Sequence, residues 1–82
     1  MADEDIYAKL TPIFRDVFDD DELMVHSLLT ADDVPEWDSV SHVRLVLTVE
    51  RAFGTRFAAS ELGALGNVGD FVSLIKRHSQ HT

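Results

Sequence analysis

A serine placed directly behind an aspartate, where an acidic loop gives way to an apolar run, is the one place in this chain where side-chain types and spacing invite covalent chemistry. The stretch is Pro35-Glu36-Trp37-Asp38-Ser39-Val40-Ser41-His42-Val43. Asp38 is a good helix cap, so Ser39 falls in a first helical turn, where backbone N–H groups lack partners and the helix dipole is positive. A phosphate ester on the Ser39 hydroxyl is favoured at such a point. Other chemistry is poorly supplied. There is no cysteine, hence no disulfide, no thiolate zinc site and no thiol nucleophile. The histidines His26, His42, His78 and His81 have no cysteine or acid cluster at ligand spacing, so no metal site is expected. Asp19-Asp20-Asp21-Glu22 lacks the alternation and central glycine of a calcium loop and reads as a solvated acidic corner.

The elements that must position Ser39 follow from hydrophobic spacing. Ile6, Leu10, Ile13, Phe14, Val17 and Phe18 form one stripe, predicting a first helix over about residues 5–18 that continues, with a bend, through Pro12. Residues 19–38 carry turn chemistry and read as a long loop, tied down by Leu23, Met24, Val25, Leu28, Leu29 and Val34, with a short helical turn near residues 23–28. The second helix is expected over 39–53, stopped by Gly54. Its apolar arc, with Val43, Leu45, Val46, Val49, Ala52 and Phe53, is wide enough to predict a central place in the bundle, while Ser41, Arg44, Thr48 and Arg51 form its polar sector. A brief third helix over about 58–62 precedes Gly63 and Gly66. A fourth over about 67–78 opens on the cap chemistry of Asn67 and Asp70 and ends in Lys76-Arg77. The fold class is all-α, a four-helix bundle in a single domain spanning 1–82.

Length and charge narrow the function. Eighty-two residues allow one core but no deep catalytic cleft beside it, so an enzyme is not expected. The net charge of −8 is uneven: residues 1–38 hold 12 acids against 2 bases, residues 39–82 hold 3 acids against 5 bases. No basic surface is concentrated enough for nucleic acid. The acidic start and the lack of a membrane-length apolar run point to a soluble, cytoplasmic protein without membrane association, and a monomer is expected.

Taken together, the long acidic loop, the Asp-Ser-hydrophobic opening of a central helix, the short third helix and the amphipathic fourth resemble an acyl carrier protein over nearly the whole length. Trp37-Asp38-Ser39-Val40, followed by Val43, Leu45-Val46, Val49-Glu50 and Ala52-Phe53-Gly54, carries the resemblance most specifically. It implies that Ser39 bears 4'-phosphopantetheine, attached from coenzyme A by a phosphopantetheinyl transferase, and that acyl intermediates ride on the arm as thioesters. The arm would supply the thiol this chain lacks and raise the local concentration of its cargo at each partner.

Asp38 reads as a plain helix cap or, in addition, as a contact for the transferase or its metal ion, and by the same resemblance Val40, Arg44, Leu47, Glu50 and Arg51 form the partner-recognition face. An acyl- or aminoacyl-loading enzyme and a ketosynthase or other acyl-processing enzyme are the implied partners. Arg44 and Arg51 stand where the family commonly has acids, which implies partners unlike those of a housekeeping fatty-acid synthase and favours polyketide or other specialised biosynthesis. Trp37 is expected to pack the loop on the bundle. Val43, Val46, Phe57 and Leu62 are candidates to line an acyl-receiving space between helices two and three. A peptidyl or aminoacyl carrier uses the same arm, and an acidic helical interaction module without a prosthetic group is the alternative from another class.

Overall fold

Three acids, Asp3, Glu4 and Asp5, occupy the first turn of the first helix and complement its positive end. In the computed structural model, which describes residues 2–79, this helix is α1, Asp3–Val17. It runs unbroken through Pro12. The stripe that the proline interrupts in sequence is continuous in packing, with Ile6, Leu10 and Phe14 fully buried and Val17 nearly so. Burial of that face outweighs the lost backbone donor. The helix ends on Asp19 at φ 51°, with the Asp20 N–H donating to the Arg15 carbonyl at 3.0 Å. Aspartate tolerates that left-handed conformation better than most residues.

The segment after α1 is a packed loop. Leu29 and Val34 are buried, and Leu23, Val25 and Trp37 lie against the core. The short helical turn expected near residues 23–28 does not form. Met24 and Leu28 point to solvent, 70% and 73% exposed, and the helical turn lies later, as the 3-10 turn Ala31–Asp33. The Asp33 carboxylate accepts from both the Thr30 N–H and its hydroxyl at 3.1 and 3.2 Å, a local closure that selects this turn. The loop is also tied to the far end of the chain: the Val68 and Gly69 N–H groups each donate at 2.9 Å, to the carbonyls of Leu29 and Ser27. Gly69 permits that approach, because a Cβ there would meet the Ser27 carbonyl oxygen at 3.0 Å.

Three further helices follow: α2 Ser39–Phe53, α3 Ala59–Gly63 and α4 Val68–Ser79. Gly54, at φ 64°, ends α2. The expected central role for α2 does not hold. It buries only Leu45, Val46 and Val49, and α1 is the element that packs on both α2 and α4. Five-residue α3 is too short to cover the rest of the apolar arc of α2, which leaves Val40, Val43 and Leu47 at the surface. In α4, Phe71, Val72, Leu74 and Ile75 complete the core. Its start is capped by Asn67, whose Oδ1 accepts from the Asp70 N–H at 2.9 Å. Among the described residues the fold is all-α, with no strand.

Candidate functional site

Trp37 sets the entrance to α2. Its ring lies edge-on to Phe14 at 5.6 Å and tilted against Phe18 at 5.4 Å, which anchors the end of the loop on α1. The next residue, Asp38, is the N-cap, its carboxylate accepting from the Ser41 N–H at 2.9 Å. That bond, more than any other influence, holds the Asp38 carboxyl below its ordinary range. Ser39 is the first residue of α2 and is exposed, with no hydrogen bond from its hydroxyl to another described residue. A 15-residue helix therefore aims its positive end at a free hydroxyl held by a rigid cap. This environment fits a phosphodiester: the hydroxyl is reachable, and the neighbouring Asp38 carboxylate is already engaged in capping.

The surface beyond Ser39 is mixed. Val40 is 71% exposed, Leu47 48%, and Arg44 and Arg51 are exposed along the same helix. Glu50 is differently used: half-buried, it accepts from the Phe57 N–H at 2.8 Å and secures the chain after α2. Val43, a candidate for lining an interior space, is 57% exposed instead.

The interior space itself lies elsewhere than expected. A cavity of about 120 Å³ is bounded by Trp37, His42, Leu62, Leu65, Asn67 and Phe71. Of the four residues proposed from sequence only Leu62 lines it, while Val46 and Phe57 are buried in the core. Sequence reasoning missed His42. The signal available was its place outside the polar sector of α2. In the structure it is half-buried, its ring stacked 6.3 Å from Trp37, and its Nδ1 accepts from the Trp37 indole N–H at 3.2 Å. A larger open depression of about 700 Å³, involving Leu47, Arg51, Arg56 and Phe57, lies at the C-terminal end of α2.

A second polar cluster fixes α3. The Glu61 carboxylate accepts from the Ala58 N–H at 2.9 Å and pairs with His78 Nε2 at 3.1 Å, while His78 Nδ1 lies 3.3 Å from the Thr55 hydroxyl. The Ala58 bond first, then His78, draws the Glu61 carboxyl below its usual range. Carboxyls with folded values below their unfolded ones stabilise the fold fully above the unfolded value, and the effect is lost as pH falls through the folded value. Urea unfolding at about pH 3 should thus give a lower midpoint than at about pH 6, and Asp38→Asn, which keeps a capping oxygen but cannot ionise, should narrow that gap. An unchanged gap would remove Asp38 from the acid response.

Among the described residues no group of three or more histidines and acids could hold a metal ion, and His81 lies outside those residues. No described helix is long and apolar enough to cross a membrane.

The bundle thus presents an exposed hydroxyl, next to an acidic cap, at the head of a long helix. No protein-family model matches the chain. It is similar to the acyl carrier protein of Lactobacillus acidophilus, with 30% identity over 78 residues, covering 95% of this chain and 98% of that protein. It is also similar to the solution NMR structure of a holo acyl carrier protein from Geobacter metallireducens, at 39% identity and a TM-score of 0.85, covering 93% of this chain and 92% of that one. The chain belongs to the acyl carrier protein family. Members of this family are carriers and not enzymes.

Proposed function

We propose that Ser39 carries 4'-phosphopantetheine and that the protein tethers acyl intermediates on that arm. The observation that carries this reading is the Ser39 hydroxyl, exposed and unpartnered in the first turn of α2 behind the Asp38 cap. The Geobacter metallireducens relative, described as a holo protein, supports it. When bound, the arm supplies a thiol for thioester formation to a chain that has no cysteine. Asp38 holds the helix start in place through Ser41, so the backbone that bears the attachment oxygen keeps one position relative to the bundle. Among the described residues none hydrogen-bonds the Ser39 hydroxyl, and this reading leaves its deprotonation to the transferase. Incubation with coenzyme A and a broad-specificity phosphopantetheinyl transferase should add one phosphopantetheinyl mass. An unchanged mass would favour an acidic interaction module that carries no covalent group.

Val40, Arg44, Leu47 and Arg51 form the face on which this reading places the transferase, the loading enzyme and a ketosynthase or other acyl-processing enzyme. What supports it is an apolar patch open to solvent and flanked by guanidinium groups. Glu50, committed to the Phe57 N–H, is less available for docking than its position on the helix implies. The two arginines favour partners with acidic rims, and with them a polyketide or other specialised pathway over housekeeping fatty-acid synthesis. Replacing both Arg44 and Arg51 by Glu should slow acyl transfer from the cognate enzyme about tenfold at low ionic strength, with the difference shrinking as salt rises. Since both side chains are exposed, the circular dichroism spectrum should not change. Equal rates would make the face merely solvated.

A further inference from the structure

We infer that the cavity beside the head of α2 selects short acyl groups bearing an acceptor oxygen beyond the thioester, and that His42 is the residue that reads this oxygen. The inference rests on the carrier reading above and deepens it. Three observations carry it.

The first is size. An apolar cavity of about 150 Å³ accommodates benzene, so a space of about 120 Å³ takes roughly four to five heavy atoms. A four-carbon acyl group fills it, and an octanoyl chain overruns it. The second is position. Ser39 and His42 are three residues apart on α2, hence neighbours on one side of the helix, which sets the arm's root within one turn of the cavity wall.

The third is the polarity of the lining. His42 Nδ1 is taken by the Trp37 indole N–H, so the neutral ring carries its proton on Nε2, which donates to no described residue. Asn67 uses its Oδ1 to cap α4, leaving its NH₂ as a donor. Thr30, also at the wall, already gives its hydroxyl proton to Asp33. Among the described residues, then, the other side-chain N–H groups of His42 and Asn67, two residues that line the cavity, have no partner. A saturated hydrocarbon entering this space displaces their water and returns nothing, whereas a carbonyl oxygen restores the bond. A 3-oxoacyl group places such an oxygen two carbons beyond the thioester carbonyl.

Trp37, the one tryptophan in the chain, reports on the cavity it lines. The test loads the protein, by transferase and the corresponding coenzyme A thioesters, with butyryl, 3-oxobutyryl and octanoyl arms, and confirms each by intact mass. The Trp37 indole N–H resonance and emission are then compared with those of the unacylated holo protein. The 3-oxobutyryl form should shift the indole most, with a sequestered population about fivefold to tenfold that of the butyryl form, as one hydrogen bond of ordinary net worth provides. The octanoyl form should respond least. His42→Phe keeps a ring in the wall but removes the donor, and within that variant butyryl and 3-oxobutyryl should become equal. A merely structural role for His42 would depress both responses and leave their ratio intact, which would overturn the assignment. So would a loaded wild-type protein whose indole is silent, or one that responds to octanoyl as strongly as to 3-oxobutyryl. Absence of any mass gain would overturn the carrier reading together with this one, so the two failures are told apart by the mass alone.

Discussion

Ser39→Ala is expected to abolish the phosphopantetheinyl mass gain completely and, with it, all thioester loading, while leaving the bundle folded. The second half of that expectation is as important as the first. Ser39 is exposed and its hydroxyl makes no bond within the described structure, so no native contact is lost. Alanine is the better helix former, and a surface change of this kind stays within about 0.5 kcal/mol. The Asp38 cap uses the backbone N–H of Ser41 and survives the substitution. Intact mass after incubation with coenzyme A and transferase gives the result directly, and the urea midpoint checks the fold. Ser41→Ala is the matched control: its N–H still caps against Asp38, so the full mass gain should persist. A Ser39→Ala protein that still gained mass would move the attachment point elsewhere, and one that failed to fold would give Ser39 a structural role that its surroundings do not support.

How far this site was legible in the sequence depends on how local its causes are. The Asp38 cap and the Gly54 stop are decided within a few residues, by a carboxylate reaching the third N–H on and by a backbone at φ 64°, and residue types alone indicate both. The fold class was legible for a related reason: the stripe through Ile6, Leu10, Phe14 and Val17 has a helical period, and tertiary burial kept it intact through Pro12. The orientation of α2 was not. Periodicity yields the width of an apolar arc but not the number of neighbours available to cover it, and α3 is too short to shield Val43, which was expected inside. The same difficulty misplaced the cavity. Its walls include Trp37 and Phe71, brought together by a loop that returns to the start of α4 through the Val68 and Gly69 N–H groups, a long-range pairing with no sequence signature. The pairing of His42 with Trp37 is local, five residues apart, but the wall it shares with Leu65, Asn67 and Phe71 depends on that return.

Phe14→Ala is expected to produce the largest loss of stability of any single change considered. Phe14 is fully buried, and its ring meets both Phe18 at 5.9 Å and Trp37 at 5.6 Å, so its removal opens a void where α1 supports the end of the loop. Truncations of this kind cost about 3–5 kcal/mol, the lost transfer energy plus the cavity left behind. At about 0.05–0.15 kcal/mol per residue the whole fold is worth roughly 4–12 kcal/mol, so about a quarter or more of it is removed. For a domain of this size the melting temperature should fall by at least about 12 °C. Leu28→Ala, at a residue 73% exposed on the same loop, should stay within about 0.5 kcal/mol and serves as the comparison. The consequence reaches the site through Trp37, which adjoins the Asp38 cap. With its edge-on partner gone, the Trp37 ring loses one of its two anchors on α1, and the start of α2 loses a fixed position. Below its melting temperature the variant should therefore accept the phosphopantetheinyl group more slowly than the parent, although Ser39 itself is untouched. A melting temperature within a few degrees of the parent would show that the surrounding rings close the void. A large thermal loss with an unaltered labelling rate would show instead that the cap alone, without the aromatic cluster behind it, holds Ser39 for its modifying enzyme.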